Sequence, residues 1–124
     1  MLQITAIAAG GAVGALGRFW ISGAVYALLG RGFPWGTLAV NLAGSFLMGF
    51  LYVLLLERLT VSAEWRAALL VGLLGALTTF STFSIETLTL LEQAALVRAV
   101  LNVVVSVLFC ILACWAGLVL GRQL

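Results

Sequence analysis

The spacing of charges constrains this chain more than any other feature. Arg31 and Glu57 are separated by 25 uncharged residues, Arg66 and Glu86 by 19, and Arg98 and Arg122 by 23. The N-terminal stretch is uncharged as far as Gly17, meets Arg18, and continues uncharged to Gly30. A helix needs about 20 apolar residues to cross the roughly 30 Å of hydrocarbon in a bilayer. The runs therefore predict four membrane spans, at 2–28, 36–56, 66–91 and 96–120, in one all-α domain covering 1–124. The first run is too long for a cleavable signal peptide and has no basic segment ahead of it. No alternating ten-residue pattern points to a barrel.

Composition narrows the chemistry. The 124 residues are 65% hydrophobic and 8% charged, with a mean hydropathy of +1.28, whereas soluble chains are roughly a quarter charged. Lys, Asp and His are absent. That removes a Ser-His-Asp triad, a His metal site and a Lys Schiff base, so an enzyme is the weakest reading. A net charge of +2 with dispersed arginines also argues against a nucleic-acid partner.

Short loops join the spans. Gly30 to Trp35 is turn-rich: Pro34 bars helix continuation, and Trp35 stands where an interfacial aromatic belongs. Ser62, followed by Glu64 and Trp65, reads as an N-cap for the third span. Four crossings place both termini on one side. That side carries Arg58, Arg66 and Arg122, and the other carries Arg31 and Arg98. The positive-inside rule needs a clear bias to set orientation, and this is almost none. The reading is dual insertion, which permits an antiparallel homodimer with its two-fold axis in the membrane plane.

Small residues recur four apart at Gly10 and Gly14, at Ala68, Gly72 and Ala76, and at Ala113, Gly117 and Gly121. Such stripes let helix backbones approach closely in lipid. Packing within the chain accounts for any one of them; three in four helices point to a tightly packed oligomer. Cys110 and Cys114 share a helix face, and with no His to complete a metal site they read as buried apolar cysteines.

The densest polar cluster is Thr78-Thr79-Phe80-Ser81-Thr82-Phe83-Ser84. Ser and Thr compete for backbone hydrogen bonds and form helices poorly, so the third helix is expected to break there, mid-membrane. At 1.5 Å per residue, 66–91 makes a helix of about 39 Å, longer than the hydrocarbon core. The bland alternative is that each hydroxyl bonds back to its own helix. Broken helices survive at membrane depth where protein or water meets the freed groups, and their loose carbonyls suit cations.

Three segments resemble the Fluc (CrcB-type) fluoride channels in order and spacing: Gly10 through Arg18, Gly36 through Phe46, and Gly75 through Ser84 with Glu86. The resemblance spans essentially the whole chain. It implies a multi-pass protein of the inner (plasma) membrane, a dual-topology homodimer that passes fluoride through two antiparallel pores. It also implies a structural Na⁺ on the two-fold axis, held by the backbone carbonyls of Gly75 and Thr78 from both subunits.

By the same resemblance, Phe80 and Phe83 line the pore with ring edges toward the ion. The electropositive edge of an aromatic ring attracts an anion weakly, and residues three apart share a helix face. Ser81, Thr82 and Ser84 belong to the same lining. Asn41 offers two N–H donors mid-span, with Thr37 one turn earlier. Without the resemblance, Asn41 reads equally as glue between helices. Asn102, Ser106 and Cys110 form one polar stripe on the fourth span, where the family has a polar track. Cys110 departs from it, being a weak donor. Arg18 lines an aqueous vestibule or else pairs with Glu86 or snorkels; Glu86 orients donors by accepting their hydrogen bonds. Neutral donors suit fluoride because a fixed cation would hold the ion too tightly to release it.

The rival is a small multidrug-resistance-type, proton-coupled exporter of organic cations, which has a similar length and four spans. Such an exporter needs a buried acid on its first span, where this chain has Arg18. A non-transporting assembly subunit leaves the polar tracks unexplained.

Overall fold

A computed structural model describes residues 1–124. Helix α1 runs Leu2–Leu29 and α2 runs Trp35–Arg58. The third span, Ala63–Glu92, divides into α3 (63–77) and α4 (Phe80–Glu92); α5 runs Leu96–Gln123. All four spans are long and apolar enough to cross a membrane. They extend one to three residues past most of the ends expected from charge spacing, because Glu57, Arg58, Glu64 and Glu92 continue the helices rather than stop them.

The turns follow from local chemistry. Pro34 caps α2, as its fixed φ and missing N–H suit a helix start. Ser62 occupies the cap position of α3 with extended backbone, yet its side chain makes no capping bond to the backbone. Between α4 and α5, Ala94 takes a left-handed φ of 57°. The Ala95 N–H reaches the Leu90 carbonyl at 2.9 Å and the Ala94 N–H reaches Leu91 at 3.0 Å, so the chain leaves the helix in a Schellman-type turn.

Backbone contact organises the bundle. A Cβ on Gly10 would strike the Ala68 carbonyl, and one on Gly14 the Leu73 carbonyl. Likewise Gly49 faces the Cys114 carbonyl and Gly117 the Phe46 carbonyl. Residue numbers rise together from Gly10–Ala68 to Gly14–Leu73, so α1 lies parallel to α3, and from Phe46–Gly117 to Val53–Gly121, so α2 lies parallel to α5. The small-residue stripes, expected to serve an oligomer, are thus consumed inside the chain. Lipid tails match Leu for apolarity, so close backbone approach is what an intrachain helix pair gains over lipid.

The core lies between α2 and α3, where Val40, Leu74 and Leu77 are buried against Leu47, Met48 and Leu70. Outside, the apolar faces are bare: Phe19 is 72% and Trp20 64% exposed, while Asn102 is 1% exposed. Apolar side chains outward and polar ones inward is the arrangement a hydrocarbon solvent demands.

Candidate functional site

The third span is interrupted at two residues. Thr78 (φ −83°, ψ 154°) and Thr79 (φ −151°, ψ 113°) are extended, and helix resumes at Phe80. Asn41, two turns into α2, meets the break. Its Oδ1 accepts from the Thr79 N–H at 2.7 Å, and its Nδ2 donates to the Thr79 carbonyl at 3.1 Å. One side-chain amide thereby does for Thr79 what a neighbouring strand would. Thr79 is buried, and leaving either group unmet costs about 1–3 kcal/mol.

Thr79 also starts the next helix. Its Oγ1 accepts from the Thr82 N–H at 3.1 Å and donates to Thr82 Oγ1 at 2.9 Å, with Ser81 Oγ at 3.3 Å. Four carbonyls, from Gly75 to Thr78, lose their helical donors at the break. The Thr79 N–H that would close on Gly75 goes to Asn41, and the Thr82 N–H that would close on Thr78 goes to Thr79. Gly44 leaves room for the break, since a Cβ there would run into Thr78 Cγ2.

Beside the break lies a groove of about 410 Å³ walled by α2, α4 and α5. Asn41, Ser45, Phe80, Phe83, Ser106 and Cys110 face it. The two rings are 5.3 Å apart, centre to centre, and tilted by 44°. Phe83 is 9% exposed and forms the floor, whereas Phe80 is 76% exposed at the open side. The groove therefore combines an amide, hydroxyls, thiols and aromatic rings with no charged side chain. Such a surface can strip and replace the water of a small anion without trapping it.

Five of the expected residues lie away from this groove in the single chain. Asn102 is behind the wall, donating to Thr87 Oγ1 at 2.9 Å and accepting from Ser106 at 3.3 Å, so it holds Ser106 in place. Ser84 bonds back to the Phe80 carbonyl at 2.8 Å, while Ser81 and Thr82 gather around Thr79. Thr37 faces another way altogether: its hydroxyl donates to Glu86 Oε1 at 2.7 Å.

Glu86 also accepts from the Tyr26 hydroxyl at 3.2 Å, which leaves Oε2 buried and unpartnered. This cluster borders a separate cavity of about 210 Å³ that includes Arg31, whose guanidinium stacks 4.6 Å above the Tyr26 ring. An Arg18–Glu86 pair does not form; the chain's one ion pair joins Arg122 to Glu57 at 3.1 Å. Arg18 is half-buried on α1.

Sequence reasoning missed Ser45, Cys114, Thr79 and Tyr26 as site residues. Ser45 and Cys114 stand four positions after Asn41 and Cys110, so helical spacing was the signal for both. Nothing in the sequence singles out Tyr26. The two cysteines are not buried apolar residues: both are half-exposed and face the groove.

Residues 5–118 match the family model described as CrcB-like protein, Camphor Resistance (CrcB). Proteins called fluoride-specific ion channel FluC in Magnetococcus marinus and Geobacter sulfurreducens are 55% and 51% identical to this chain. Those matches cover 98% and 100% of this chain and the same shares of the relatives. The protein of that name in Methylococcus capsulatus is 58% identical over 99% of this chain, which spans about half (54%) of that relative's length. On this breadth and identity, the chain belongs to the CrcB-like family.

Proposed function

We propose that this chain is a fluoride-selective channel that exports the ion passively across the bacterial inner membrane. The relatives called fluoride-specific ion channels support the ion's identity. The observation that carries the reading is the uncharged groove, in which Asn41, Ser106, Phe80 and Phe83 converge beside a helix break. Fluoride is small and strongly hydrated. Neutral donors and ring edges replace its water and still let it leave. Hydrogen fluoride enters a cell neutral and dissociates; a negative-inside potential then drives the anion out by about 2.3 kcal/mol per charge per 100 mV. The chain needs no energy-coupling machinery for this.

In this reading the working unit is an antiparallel homodimer with two pores, embedded in lipid. Phe80 stands 76% exposed at the open side of the groove, where a second copy would complete the wall. Gly75 supports the same face: it is exposed, and nothing lies within 4 Å of where its Cβ would stand. The freed carbonyls of Gly75 and Thr78 fit a structural Na⁺, since hard oxygen donors suit a hard cation. Bound there, the ion would neutralise carbonyl dipoles that hydrocarbon leaves unmet. Arg18 raises the anion concentration in a vestibule. Beyond the groove, the hydroxyls of Thr37, Ser81, Thr82 and Ser84 extend the polar path, and along α5 Ser106 lines it while Asn102 holds Ser106 in place. Glu86 orients hydroxyl donors by accepting from them. No observation favours the multidrug exporter, whose first-span acid is absent here.

Halide efflux from proteoliposomes is the test. The expected result is rapid fluoride loss with chloride retained, abolished by Phe80→Ile or Phe83→Ile. Equal passage of the two halides would overturn the reading.

A further inference from the structure

We infer that Cys110 and Cys114 form a two-thiol site for a soft divalent cation, mercury(II), in the wall of the groove, where the metal blocks the ion path. The inference rests on the reading that this groove carries the anion. Both cysteines are free, both are half-exposed, and both face the groove that holds Phe80, Phe83 and Ser106.

Helix geometry favours metal over disulfide. Residues at i and i+4 hold their Cβ atoms about 5–6 Å apart, but a disulfide wants about 3.5–4.5 Å. The pair therefore stays as thiols. One metal ion with two bonds of about 2.3 Å spans sulfurs about 4.6 Å apart, a separation that side chains on Cβ atoms about 5–6 Å apart reach by rotation about their Cα–Cβ bonds. Coordination number and charge then choose the metal. No group of three or more His, Cys, Asp or Glu exists in the chain, so the four ligands zinc prefers cannot be assembled. A two-coordinate soft cation can be served. Each thiol releases its proton to water and each sulfur forms one bond to Hg²⁺. Two S–H bonds break, two S–Hg bonds form, and the product is neutral. A monovalent soft cation bound the same way would leave a net negative charge in an apolar wall, which is costly.

The probe is mercuric chloride on the purified protein in proteoliposomes. Metal content is read by mass spectrometry after washing with excess monothiol, and fluoride efflux is read in parallel. The wild type should retain one mercury per chain and lose most of its efflux until a dithiol is added. Cys110→Ser and Cys114→Ser should each lose the retained metal, and each variant's efflux, compared with its own metal-free rate, should not fall. Two weakly held ions per wild-type chain, no retained metal, or equal retention by the single variants would overturn the site. One retained ion with undiminished efflux would instead uphold the site and overturn the groove as the ion path.

Discussion

Asn41 and Thr79 are joined by a two-way pairing, in which the carboxamide accepts from the Thr79 N–H at 2.7 Å and donates to its carbonyl at 3.1 Å. The pairing makes a non-helical residue tolerable inside a hydrophobic bundle, and it also turns the Asn41 amide toward the groove. Asn41→Ala should destabilise the fold by about 1–3 kcal/mol for each orphaned group. Asn41→Asp keeps an acceptor for the N–H but loses the donor and adds a charge that repels anions. The expected outcome is a lower unfolding temperature in detergent for both variants, with fluoride efflux lost in Asn41→Asp even where the fold survives.

Close backbone approach and dimer formation separate by substitution. Gly49 and Gly117 meet rigid carbonyls of the facing helix, so Gly49→Val or Gly117→Val should prevent the chain from packing. Gly75→Ala meets nothing within 4 Å in its own chain and improves helix propensity by about 1 kcal/mol. If a second copy lies against Gly75, that variant keeps its helical content but shifts toward monomer. Circular dichroism and light scattering in detergent would read the two properties apart.

Ala94 sits at φ 57° in the turn between α4 and α5. A left-handed conformation costs a non-glycine residue about 1–2 kcal/mol. Ala94→Gly should therefore stabilise the protein by about 1 kcal/mol, less the entropy glycine adds to the unfolded chain. Thermal unfolding should rise by a few degrees with fluoride efflux unchanged.

Arg122 and Glu57 tie the ends of α5 and α2 at 3.1 Å, and their side chains are 59% and 38% exposed. Solvent screens a pair this open, so Glu57→Gln should cost little stability. The Arg58 guanidinium also donates to the Arg122 carbonyl, a bond that survives in Glu57→Gln. A shift in unfolding temperature that vanishes at high salt is the expected signature.

Much of the fold was legible because hydrocarbon is a demanding solvent. A charged residue is expensive inside it, so the gaps between Arg31 and Glu57, and between Arg98 and Arg122, delimit two helices almost by themselves. The cluster from Thr78 to Ser84 was legible for the opposite reason: so many hydroxyls weaken helical bonding locally. The Thr78–Thr79 interruption lies inside it. Less legible was the assignment of each hydroxyl. Ser84 satisfies itself on the Phe80 carbonyl and Thr78 on Leu74, whereas the Thr79 hydroxyl turns forward to Thr82 and that of Thr37 crosses to Glu86. A hydroxyl has bonding partners on its own helix and across it, and residue type does not choose between them.

The primary sequence by itself determined the number of spans, the solvent they are built for, and the stretch where the third one breaks. Each follows from local composition, because transfer into hydrocarbon acts residue by residue. The tertiary structure alone decided that Gly10 and Gly117 join alternate helices within one chain, that Thr37 turns to Glu86, and that Cys114 faces the groove beside Phe80. Those outcomes depend on how each helix is rotated about its axis. That rotation is set by the summed packing of all four spans, which no single segment encodes.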